Sequence, residues 1–128
     1  LAIRYASASP DQEKLQAEVT EILEKECAAA KAADVQTWNR YSDEFHLVFY
    51  RYCNNSRLAE SAERLRSGIS IFSNQYCRET VIQTRIDEEH LAIFQAYKDG
   101  DIEKAVQMMK THLNDSLNYA LRFLPETF

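Results

Sequence analysis

Three histidines, His46, His90 and His112, are the residues of this 128-residue chain best suited to metal chemistry, and they fall on three different helical segments. On one segment Ile86, His90, Ile93 and Tyr97 recur at the three-to-four-residue spacing of a single helical face, and on another Ala105, Met109, His112 and Ser116 do the same. Both imidazoles therefore point inward. His46 adjoins Phe45 and lies one turn from Phe49, at the margin of a buried face, with Ser42 and Asp43 one turn before it. A single histidine on an apolar face is ordinarily a core residue satisfied by one hydrogen bond. Three directed at one interior from separate helices, with a carboxylate close by, suit a divalent ion such as zinc or nickel, because neutral imidazole is the commonest ligand for such ions. On this reading Asp43 is the candidate fourth ligand.

The residues alone leave three readings open. One is a metal-binding module, the second a zinc hydrolase with a three-histidine site and a metal-activated water, and the third a bundle whose histidines only fill the core. The hydrolase needs a general base near the ion. Glu89 adjoins His90, yet successive helical residues point about 100° apart, which places it poorly for that task. Cys53, seven residues after His46 and on its side of the helix, is an outlying candidate for a sulfur ligand.

The elements that must position these side chains follow from caps and periodicity. Residues 1 to 8 read as the last turns of a helix that began upstream. Ser9, Pro10 and Gln12 supply an N-cap, a proline at the first helical position and a capping-box partner, so the next helix is expected to start at Ser9. Its stripe is Leu15, Val19, Ile22 and Leu23, and the alanine-rich run from Ala28 closes it. Asp34 caps a third helix that carries Trp38, Phe45 and Phe49, and Asn54, Asn55 and Ser56 form the turn after it. A fourth helix, from about Ser56 to Tyr76, turns Leu58, Leu65, Ile69 and Phe72 inward, with Gly68 in its interior. The fifth runs from about Glu79 to Lys98 and ends at Asp99 and Gly100. Asp101 caps a sixth, reaching about Phe123, with Ile102, Ala105, Met109, Leu113, Leu117 and Ala120 inward. The expectation is an all-α fold, one domain built as an antiparallel bundle of about six helices.

Composition narrows the function classes. Apolar residues make up 45% of the chain and charged residues 27%, enough for a packed core and too apolar for disorder. The net charge is -5, and the 15 Lys and Arg residues are dispersed among acidic ones, which argues against a nucleic-acid surface in this segment. Cys27, Cys53 and Cys77 form no close pair and read as reduced thiols of a cytoplasmic protein. No apolar run is long enough to span a bilayer.

Two stretches carry a family resemblance. Phe45 to Leu58, FHLVFYRYCNNSRL, resembles the signature of the FCD domain, the C-terminal effector domain of FadR-like GntR transcriptional regulators. Glu89 to Ala105, EHLAIFQAYKDGDIEKA, is similar to a second signature of that family, and His112-Leu113 falls where the family places its last histidine. The resemblance implies His46, His90 and His112 as three ligands of a divalent metal that helps to hold a small carboxylate effector. The family pattern has Asp four residues before the first histidine. This sequence has Ser42 there, with Asp43 one residue later. Arg66 matches an arginine frequent in the family and, with Ser42, is a candidate effector contact. Asn55 matches the family's turn asparagine, although its type and place are those of a helix cap. The resemblance further implies a homodimer whose DNA contacts lie in an N-terminal winged-helix domain outside this chain, and a regulatory rather than enzymatic role.

Overall fold

A computed structural model describes residues 1–65 and 79–121 of the chain. Helix α1 (Ala2–Ser7) leads to α2 (Gln12–Lys31) and α3 (Val35–Arg51). A fourth helical segment, α4, occupies residues 56–65 at the edge of the first described stretch. Helices α5 (Thr80–Lys98) and α6 (Ile102–Leu121) complete the described chain, and no strand occurs among the described residues. The fold is all-α, as expected. Leu65, expected inward, is 65% exposed. Ile69, Phe72, Gly68 and Tyr76 lie outside the described residues.

Two sharp connections make hairpins of the helix pairs that carry the site. After α2, Asp34 N–H bonds to Ala29 O and Ala33 N–H to Ala30 O, the paired bonds of a Schellman end. Ala33 takes the left-handed conformation this requires, φ 55°, at a position where glycine is usual. The Asp34 carboxylate then accepts from Thr37 N–H and caps α3. The connection after α5 repeats the device with Gly100 at φ 80°, Asp101 N–H bonding to Ala96 O and Gly100 N–H to Tyr97 O. Asp101 caps α6 through Lys104 N–H. Asn55 accepts from Leu58 N–H, so its place in the turn is explained by capping.

The start of α2 differs from the sequence expectation. Its first residue is Gln12, and Ser9 accepts from Asp11 N–H rather than capping a helix of its own. Gln12 is occupied elsewhere: its amide donates to Ala6 O and Ser9 O, satisfying carbonyls at the end of α1, and its oxygen accepts from Tyr97 O–H at 2.7 Å. Gln12 thus ties α1 to α5. Arg4 grips Glu103 with two bonds of 3.0 and 2.9 Å, tying α1 to α6 as well.

The main core gathers Ile3, Leu15, Val19, Phe45, Phe49 and Ile93 with neighbours from α1, α2, α3, α5 and α6. A second cluster joins Ala29, Ala30, Trp38 and Ile86. On α6 the buried face centres on Ala105, Val106 and His112, leaving Leu113 and Leu117 at 51% and 58% exposure rather than inward. At about 100° per residue Leu113 and Leu117 lie about 80° and 120° round the helix from Ala105, on the flank of the apolar side away from His112.

Candidate metal centre

His46 projects from α3, His90 from α5 and His112 from α6, and one ligand nitrogen from each lies within 4.8 Å of the other two. The ring centroids of His90 and His112 are 4.7 Å apart, those of His46 and His90 5.0 Å, and those of His46 and His112 5.3 Å in a stacked pair. Phe45 stacks on His90 at 4.2 Å and is itself wholly buried, so an apolar wall backs the cluster.

Two carboxylates set the orientation of two of the rings. His90 Nδ1 lies 2.9 and 3.1 Å from the oxygens of Glu26, and His112 Nδ1 lies 2.9 Å from Glu89 Oε2. An ionised carboxylate only accepts, so the Nδ1 of each ring carries the proton and donates it. In the neutral rings the Nε2 atoms are then both bare lone pairs, and they face each other at 3.0 Å. Two acceptors cannot hydrogen-bond to one another. A cation shared between them removes the conflict: nitrogens about 2.0–2.1 Å from one zinc ion, at angles between square and tetrahedral, stand about 2.9–3.4 Å apart. Carboxylate behind imidazole in front of an ion is also the usual second layer of a histidine metal site.

Glu26 itself is fully buried on α2, in step with Leu15, Val19 and Leu23. Behind it stands Asp87, which shares a side-chain hydrogen bond with Glu26 and accepts from Trp38 Nε1–H at 2.9 Å. Burial raises the pKa of both acids, Asp87 to about 8 and Glu26 to about 7. For Asp87 the bond to Glu26 adds to the rise, whereas for Glu26 the same bond works downward. Together the two buried acids favour holding a proton between them. A continuous chain results: Trp38 to Asp87, Asp87 to Glu26, and His90 Nδ1 to Glu26 from the other side. Burial, followed by repulsion from neighbouring imidazoles, holds His46 and His90 well below the ordinary histidine range. The neutral ring is the form that binds metal.

The other expected residues sort plainly. Asp43 is half-buried on α3 and is not among the residues gathered in the trio. Asp43 and Ser42, three and four residues before His46, lie about 60° to one side and about 40° to the other side of it on the helix. Ser42, also half-buried, offers no charge at the place where the family has a carboxylate. Arg66 lies outside the described residues. Cys53 is buried at the end of α3, its thiol donating to Tyr50 O at 3.0 Å, and it does not join the trio. Glu89 is misplaced as a base near His90 but well placed to brace His112, and Arg85 Nε stands 3.6 Å from its other oxygen. Glu26 was not singled out by the sequence reading. Its signal was present as a carboxylate on the apolar stripe of α2.

These positions can be set beside known proteins. The profile of the FCD domain matches residues 1–115. No curated protein and no solved structure gives a match beside it. The matched span includes all three histidines and both hairpins that position them, and the chain belongs to the FCD domain family, the regulatory, effector-binding domains of GntR-type transcriptional regulators.

Proposed function

We propose that this domain senses a small carboxylate-bearing metabolite through a divalent ion held by His46, His90 and His112. The observation that carries the reading is the facing pair of Nε2 atoms, 3.0 Å apart, on rings whose Nδ1 atoms are held by carboxylates, with a third imidazole beside them. An ion such as zinc or nickel would supply a localised positive charge able to attract an anionic oxygen. The chain's net charge of -5 gives acids no general attraction, so their recognition has to be local. Asp43 or water supplies a further ligand, and the acid takes a position that the imidazoles leave open.

Function follows from where the ligands are anchored. The trio joins α3, α5 and α6, while Gln12 and Arg4 fasten α1 to α5 and α6. Binding that favours one arrangement of α5 and α6 therefore shifts α1, and with it a winged-helix domain attached ahead of α1 in the complete regulator. In this reading the regulator is a homodimer that reads two half-sites. A hydrolase reading draws no support from Glu89, whose carboxylate braces His112.

A thermal-shift screen of hydroxy acids, dicarboxylates and sugar acids, run with and without chelator, tests the proposal. At least one acid should raise the melting temperature only when metal is present, since a ligand at a hundredfold excess over its Kd stabilises the fold by roughly 2.7 kcal/mol. Ligands that stabilise equally after chelation would contradict the metal-mediated mechanism.

A further inference from the structure

The three groups gathered at the centre are all imidazoles, and the carboxylates nearest to two of them approach from behind the rings. Glu26 is the more deeply set of these. It is wholly buried, comes from α2, a helix that contributes no ligand, and presents both oxygens to His90 Nδ1 at 2.9 and 3.1 Å. Asp87 holds it from the far side and is held in turn by the indole N–H of Trp38. Burying an acid inside an apolar helix stripe is costly unless every bond it makes is well formed. Glu26 stands in step with Leu15, Val19 and Leu23, a register that apolar residues ordinarily fill, so its burial needs a reason beyond packing.

We propose that Glu26, braced by Asp87, is a positioning residue of the metal centre that fixes His90 as the Nδ1–H tautomer and so keeps its Nε2 lone pair turned toward His46 and His112. The proposal rests on the three-histidine reading of the site. Without an acceptor behind Nδ1, His90 is free to place its proton on Nε2 and donate it to His112 Nε2, 3.0 Å away, which would close the site to an ion. Removing partners of this kind commonly lowers metal affinity by about 10- to 100-fold.

Zinc affinity, by chelator competition, and the His90 tautomer, by ring-nitrogen NMR of the zinc-free protein, are measured for the wild type, Glu26→Leu and Glu26→Gln. Glu26→Leu should bind zinc about 10- to 100-fold more weakly and move His90 toward the Nε2–H form. Glu26→Gln keeps an amide oxygen for Nδ1–H and should recover part of the affinity and the Nδ1–H signature. A purely structural role for Glu26 would leave the tautomer unmoved. Wild-type affinity and an unchanged tautomer in Glu26→Leu would overturn the proposal while leaving the metal site standing. A wild-type protein that binds no zinc would overturn the site itself.

Discussion

His90 Nε2 and His112 Nε2 face each other at 3.0 Å, each ring having its opposite nitrogen engaged by a carboxylate, Glu26 for His90 and Glu89 for His112. Two elements of the fold make this meeting possible. The Gly100 turn folds α6 back along α5, and the buried face of α6 then brings His112 against His90. Both rings turn their Nε2 atoms into one space from fixed backbones, so an ion bound there would meet preorganised donors.

His46 and His90 should stay neutral below the ordinary histidine pKa. Protons compete with a metal only where the metal-free folded imidazole binds them, and burial lowers that range for His46 and His90. Ring-nitrogen NMR of the chelated protein should therefore show His46 and His90 still neutral at pH 6.5, with their protonation confined to lower pH. Half-protonation of either ring at or above pH 6.5 would contradict this.

The paired acids predict a pH dependence of the chelated protein's stability. Asp87 ionises near 4 in the unfolded chain and near 8 in the fold, so the stability it contributes is fully present below about pH 4 and lost as pH rises through about 8. Glu26, at about 7, acts in the same direction. From pH 6.5 to 8.5 unfolding free energy should therefore decline, by at most about 1.4 kcal/mol per pH unit for each proton involved. Asp87→Asn retains an acceptor for Trp38 and a donor for Glu26 without an ionisable proton, and its decline should be shallower. Denaturant melts at several pH values check this, and parallel slopes for the two proteins would contradict it.

Phe45 joins the site to the core, stacking on His90 at 4.2 Å and meeting Phe49 edge-on. Phe45→Ala removes a fully buried ring and should cost about 3–5 kcal/mol, measured by chemical denaturation with chelator present. A loss below 1 kcal/mol would mean that the wall behind His90 can close without it.

Much of this arrangement was legible in the sequence, and the exceptions share a physical origin. Asp34, Asn55, Gly100 and Asp101 act where they were expected because caps and left-handed turns depend on a few neighbouring residues. The inward histidines were readable from periodicity. Ser9 and Gln12 misled because a local capping signal was overridden by a tertiary use of the Gln12 side chain, which binds the end of α1 and Tyr97. Leu113 and Leu117 misled because a helical wheel shows an apolar side without showing which part of it the neighbours cover. Glu26 needed its partners to be recognised: its meaning comes from His90, 64 residues away, and from Asp87 on another helix. Glu89 was correctly seen to diverge from His90, but its partner on α6 could be found only once α5 and α6 were packed together.

The most direct measurement is metal content per chain, by native mass spectrometry with elemental analysis, for the untagged wild type and for His90→Ala, His112→Ala and Asp43→Ala. The three-imidazole account predicts one divalent ion per wild-type chain and a sharp loss in both histidine variants, while Asp43→Ala distinguishes Asp43 from water as the further ligand. Absence of an ion from the wild type, or unchanged stoichiometry in both histidine variants, would contradict it.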